Sequence, residues 1–155
     1  MNVSDKNIVL IGMRGSGKSS VGDILAGQMQ RELISMDSII IYEAGMLIPE
    51  IVEKFGWKYF REIETKVTKK IARLSCIINS TGGGVILNPD NVSALRDSGI
   101  VFWLKVSVDN ILYRIGDDPN RPSLTGRNSR RDDMIATLNE REKLNTIGDF
   151  ESFVA

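Results

Sequence analysis

The segment Gly12-Met13-Arg14-Gly15-Ser16-Gly17-Lys18-Ser19 constrains this 155-residue chain more than any other feature. It follows the pattern G-x-x-x-x-G-K-S/T. A short apolar run, Ile8 to Ile11, leads into it, and Val21, Ile24, Leu25 and Met29 recur at helical spacing behind it. Strand, glycine loop and helix in that order form a phosphate cradle: the glycines let successive N–H groups turn inward, and the helix adds the positive end of its dipole. Gly12, Arg14, Gly15, Ser16, Gly17, Lys18, Ser19 and Ser20 are the candidate phosphate-binding residues. Lys18 is placed to reach the β- and γ-phosphates of a nucleotide, and the Ser19 hydroxyl to ligate Mg²⁺.

The same alternation continues along the chain. Leu33 to Met36 reads as a second short strand, and a long helical pattern runs from Pro49 through Ile63, Val67, Ile71 and Leu74. Cys76 to Asn79 reads as a third strand, Asn88-Pro89 as a helix start and Gly99 as its end. Ile100 to Leu104 is the next strand, and Ser107 caps a short helix through Ile115. Asp117 to Arg131 is charged and nearly free of apolar residues, which predicts a loop. A last helix over Asp132 to Leu144 and a strand over Phe150 to Val154 complete the pattern. Strands alternating with helices predict an α/β fold with a parallel sheet covered on both faces.

Composition narrows the chemistry. Twenty basic residues balance twenty acidic ones, so no overall field draws the chain to nucleic acid or an anionic membrane. With no histidine and a single cysteine, Cys76, there is no Ser-His-Asp or Cys-His nucleophile pair and no His-ligated zinc. Carboxylates, lysines and arginines remain for acid, base and electrostatic work. No run approaches the ~20 apolar residues of a membrane span. The length predicts one domain over residues 1–155, monomeric and in the cytoplasm.

Further motifs follow the glycine loop in a fixed order: Ser35-Met36-Asp37, Phe60-Arg61-Glu62-Ile63-Glu64, Thr81-Gly82-Gly83-Gly84, Arg121-Pro122 and Glu140-Arg141. Singly, each has an ordinary explanation. Asp37 could cap a helix, Arg61 could pair with Glu64 at i+3 on the surface, and the glycines could form a flexible strand-end turn. Together and in this order, they make the chain resemble the shikimate kinases along nearly its whole length.

That resemblance implies a three-layer α/β/α fold of the P-loop, nucleoside monophosphate kinase-like type. It carries a five-stranded parallel sheet, a substrate-binding region about residues 35–64 and a mobile lid about 114–131. It also implies ATP-dependent, Mg²⁺-assisted phosphorylation of the 3-hydroxyl of shikimate, on the pathway to chorismate. By the same resemblance Asp37 orients or deprotonates the attacking hydroxyl, and Arg61, Arg141 and the Gly82, Gly83, Gly84 run hold the acceptor. Arg121 closes over the transferring phosphoryl group, and Arg114 packs near the adenine. An acceptor with one carboxylate and several hydroxyls suits this set, since guanidinium forks bind carboxylate bidentately and a carboxylate accepts from hydroxyls. The chain departs from the family at Ser35, where the first of two aspartates usually stands. It also ends at Ala155, where the family continues into a loop and helix that help cover the adenine. Two alternatives stay open: another small-metabolite kinase such as a gluconate kinase, and a non-catalytic relative that binds nucleotide or shikimate.

Overall fold

The computed structural model describes residues 5–116, 129–147 and 151–154, with 145–147 and the last segment described by backbone alone. Five strands form one parallel sheet: β1 (Asn7–Ile11), β2 (Leu33–Ser35), β3 (Ile78–Ser80), β4 (Gly99–Lys105) and β5 (Glu151–Val154), in the order β2-β3-β1-β4-β5. β1 lies at the centre, with Val9 opposite both Asn79 and Val101. The helices are α1 (Lys18–Met29), α2 (Met36–Ala44), α3 (Ile48–Ile71), α4 (Pro89–Ser98), α5 (Val108–Ile115) and α6 (Arg130–Ile147).

Period-two alternation sorts β1 between the two faces. Val9 and Ile11 join Val101 and Trp103 in a core built with Ile51, Phe60, Val67 and Ile71 of α3 and Leu95 of α4. Leu10 faces the other way, against α1, where Gly22 approaches so closely that a β-carbon would lie 2.7 Å from Leu33 Cδ1. A second cluster joins Met13 and Val106 to Ile111 and Ile115 of α5 and Met134 of α6. Asn88 and Ser107 cap α4 and α5 by accepting from the backbone N–H groups of Asp90 and Asn110.

Several elements differ from their sequence expectation. α1 forms, but it turns Lys18 and Gly22 inward and leaves Ile24 and Met29 in solvent, a face rotated from the expected apolar stripe. Met36 opens a helix instead of ending β2, because the Ser35 hydroxyl accepts from the Ser38 N–H and starts α2 there. β3 begins two residues late. Cys76 has φ 60 and is exposed, so the chain turns there before it can pair. α3 stops at Ile71, and Leu74 lies largely in solvent. Arg121 and most of the expected lid fall outside the described residues.

Candidate active site

The loops that follow β1, β2 and β3 converge at the carboxyl ends of the strands, where parallel sheets place their ligand crevices. They line a cavity of about 660 Å³, well within the usual range for small-molecule sites. Arg14 through Ser20, Ser35, Asp37, Ser80, Thr81, Gly83 and Arg114 contribute to its wall.

The loop after β1 has the geometry its glycines permit. Gly12, Gly15 and Gly17 take φ of 150, 75 and 93, values that L side chains rarely adopt. Lys18 is folded back over the loop and nearly buried, and its Nζ donates to the carbonyls of Gly12 at 2.7 Å and Met13 at 2.9 Å. The Ser19 hydroxyl follows it at the head of α1 and is exposed. Arg114 reaches across from α5 to donate to the Gly15 carbonyl at 3.3 Å, which places it against the phosphate loop as well as at the end of its helix.

Asp37 sits in the first turn of α2, two residues inside the cap that Ser35 supplies. The capping role open to Asp37 in the sequence therefore belongs to Ser35. Asp37 Oδ1 and Glu64 Oε2 flank Gly82, at 3.1 and 3.0 Å from the position a β-carbon would occupy there.

Arg61 is held on several sides. Its Nη1 donates to Glu64 Oε1 at 2.8 Å, and its guanidinium lies 5.3 and 5.1 Å from the ring centres of Trp57 and Phe60. A β-carbon on Gly84 would collide with it. The i+3 pair is present, but Glu64 is 1% exposed, so its carboxylate end lies in the interior while Arg61 is half-buried. Burial pushes the Glu64 carboxyl above its ordinary range and Asp37 adds to the rise, while Arg61 and Arg141 oppose it. Its Oε2 has no hydrogen-bond partner among the described residues.

Arg141 projects from α6 on the same face as Met134 and Leu138 and is 5% exposed. Its Nη1 rests 3.7 Å from Met13 Sδ and 3.2 Å from the β-position of Gly83, and its Nε has no hydrogen-bond partner among the described residues. Burial, then the nearby Arg61 and Arg14, lower its pKa to about 10. A buried guanidinium with an unmet donor is an incomplete anion site. The triple glycine is thus a close-approach segment: each missing β-carbon leaves room for a charged group of Asp37, Glu64, Arg61 or Arg141.

The structure therefore sets Lys18, Ser19, Asp37, Gly83 and Arg114 in the wall of one crevice, and Arg61, Gly82, Gly84 and Arg141 adjoin it through the triple glycine. Glu64 joins them without having been singled out in sequence for more than its pairing with Arg61. A basic loop stands on one side and an arginine pair on the other, with two carboxylates between.

Comparison with known proteins decides which family builds such a site. The family model described as shikimate kinase matches residues 14–148. The chain belongs to the shikimate kinase family. A shikimate kinase of Caldicellulosiruptor bescii is 44% identical over 146 residues, covering 94% of this chain and 84% of that protein. A solved shikimate kinase from Acinetobacter baumannii, in complex with shikimate, superposes with a TM-score of 0.92 at 32% identity, covering 97% of this chain and 84% of that one. A gluconokinase from Sinorhizobium meliloti, at 17% identity and a TM-score of 0.55, shares the fold alone.

Proposed function

We propose that this member of the family transfers the γ-phosphoryl group of ATP to the 3-hydroxyl of shikimate, giving shikimate 3-phosphate. The observation that carries the reading is Arg141, buried near Arg61 at the triple glycine, with an Nε that no described residue pairs. Such a cation pair calls for a planar anion, and the acceptor's carboxylate supplies one. Asp37, across Gly82, then accepts a hydrogen bond from the attacking hydroxyl and orients it. Backbone N–H groups of residues 12–20 hold the phosphates, Lys18 neutralises charge as it builds on them, and Arg114 closes the nucleotide side. Arg121 is assigned to the transferring phosphoryl group on resemblance alone.

The donor set fits a divalent ion carried in with ATP. Ser19 offers one hard oxygen, Ser35 a neutral hydroxyl nearby, and no group of three or more His, Cys, Asp or Glu gathers as a metal cage among the described residues. Mg²⁺ takes most of its ligands from phosphate and water, and when bound it offsets charge on the β- and γ-phosphates. No helix among the described residues is long and apolar enough to cross a membrane. The same reading makes the protein a monomeric, single-domain cytoplasmic enzyme.

An ADP-release assay over shikimate, gluconate and other hydroxy acids tests the assignment. Shikimate should be preferred by orders of magnitude, and Lys18→Ala should lower the rate about a thousandfold, or about 4 kcal/mol of barrier. ADP release indifferent to the acceptor, or a Lys18→Ala rate within tenfold of wild type, would overturn the reading.

A further inference from the structure

Two carboxylates from different parts of the chain meet at Gly82. Asp37 arrives in the first turn of α2 and Glu64 from the second half of α3. The place of the missing β-carbon lies 3.1 Å from Asp37 Oδ1 and 3.0 Å from Glu64 Oε2, so the bare glycine lets both oxygens close on one point. The two oxygens of Glu64 have separate surroundings. Oε1 accepts from Arg61 at 2.8 Å, whereas Oε2 is buried at Gly82 and accepts from no described residue. The aiming of Arg61 uses Oε1 and leaves Oε2 unexplained. A proton on Oε2 turns that oxygen into a donor beside Asp37 Oδ1. Burial holds the Glu64 carboxyl above its ordinary range; Arg61 on its own helix opposes the rise, Asp37 from α2 adds to it, and Arg141 from α6 opposes it. Two carboxylates set so close bind one proton between them more tightly than either would alone, and they titrate as a pair.

We propose that Asp37 and Glu64 act as one proton acceptor across Gly82, with Asp37 touching the attacking hydroxyl and Glu64 sharing the proton that Asp37 removes. As the hydroxyl oxygen bonds to the γ-phosphorus, the bond from phosphorus to the leaving ADP oxygen breaks with its electron pair. The hydroxyl proton passes to the pair and later to solvent. Glu64 is thereby a positioning residue for the proton, beyond its contact with Arg61. This deepens the assignment of shikimate as acceptor and rests on it.

The test has two arms. In the first, side-chain carboxyl NMR follows the titration of Glu64 in the full-length, ligand-free protein, as wild type and as Asp37→Asn. Loss of the Asp37 charge should lower the Glu64 midpoint by about one pH unit. An unmoved or raised midpoint would overturn the proposal. In the second, kcat is measured against pH at saturating shikimate and MgATP for wild type and Glu64→Gln, whose folding is checked by binding of a non-hydrolysable ATP analogue. Removing the second carboxylate should move the acid limb of the profile about one pH unit lower and reduce the plateau kcat about tenfold. A raised KM with kcat and its acid limb unchanged would leave Glu64 no task but the aiming of Arg61 and overturn the pair, as would a limb that moves to higher pH. Failure of the wild type to phosphorylate shikimate would bring down the acceptor assignment, whereas the Glu64 titration judges the pair without any substrate.

Discussion

Glu64 shows how a single residue can cost the fold and serve the site. Its carboxyl is pushed up by burial, so the folded state takes up a proton there more readily than the unfolded chain. The stability tied to that proton is fully present below the ordinary value of 4.5 and is lost as pH rises through the folded value. At neutral pH the buried carboxyl is therefore a burden on folding, and it accepts from the Arg61 fork at 2.8 Å. Glu64→Gln should leave urea stability at pH 7 equal to or above that of wild type, with the difference shrinking toward pH 4.5. It should also raise the KM for shikimate about tenfold, because Arg61 loses the oxygen that aims it. Lower stability with an unchanged KM would mean that the pair is merely structural. Ser35 is the opposite case, a residue at home in the fold: it caps α2 and faces the cavity. Aspartate caps a helix equally well, so Ser35→Asp should fold normally and lower the Mg²⁺ concentration for half-maximal rate by a few-fold. A Mg²⁺ titration with an unmoved midpoint would take residue 35 away from the ion's water shell.

At the scale of elements, the kink in α3 sets where Arg61 points. Gly56 has φ 83 and ψ 168, a region in essence open to glycine alone, and the next turn carries Trp57, Phe60 and Arg61. A β-carbon there would meet nothing within 4 Å, so conformation and not space reserves the position. Gly56→Ala should lower the free energy of unfolding by about 1 to 3 kcal/mol and, by turning the second half of α3, weaken shikimate binding more than ATP binding. Wild-type stability would show that the kink relaxes at no cost. The kink was not legible in sequence, because the apolar spacing of α3 runs on from Pro49 past it. α2 was legible only as the helix that Asp37 could cap: Ile39-Ile40-Ile41 is a solid apolar run with no helical period, and the structure gives the cap to Ser35. By contrast the strands, the phosphate loop and the capped starts of α4 and α5 rest on neighbouring residues, and pattern reading reached them. Glu64 escaped notice because its burial depends on the glycine loop arriving from another part of the chain, which no local window contains.

Across the whole molecule, the sheet order brings the loops after β1, β2 and β3 to one edge, and α6 lays Arg141 over them. Beside the crevice the fold thus buries the Arg141 guanidinium, whose Nε meets no partner among the described residues. With its pKa lowered to about 10, Arg141 is still protonated at neutral pH in both folded and unfolded states. The cost of that charge, on the order of 3 kcal/mol, is present at all lower pH and is relieved only as pH rises through about 10. An anion bound in the crevice offsets the same cost without a change of pH. Shikimate at a hundred times its Kd should stabilise the folded state by about 2.7 kcal/mol, a rise in Tm of roughly 5 to 10 °C for a chain of this length. Arg141→Met removes the buried charge and keeps an apolar stem against Met13. The variant should melt at or above the wild-type temperature without ligand, keep its shift with an ATP analogue, and lose its shift with shikimate. Thermal melts of both proteins with each ligand check this. A variant that melts lower when empty and still responds to shikimate would show that Arg141 holds the fold together and that the carboxylate binds elsewhere.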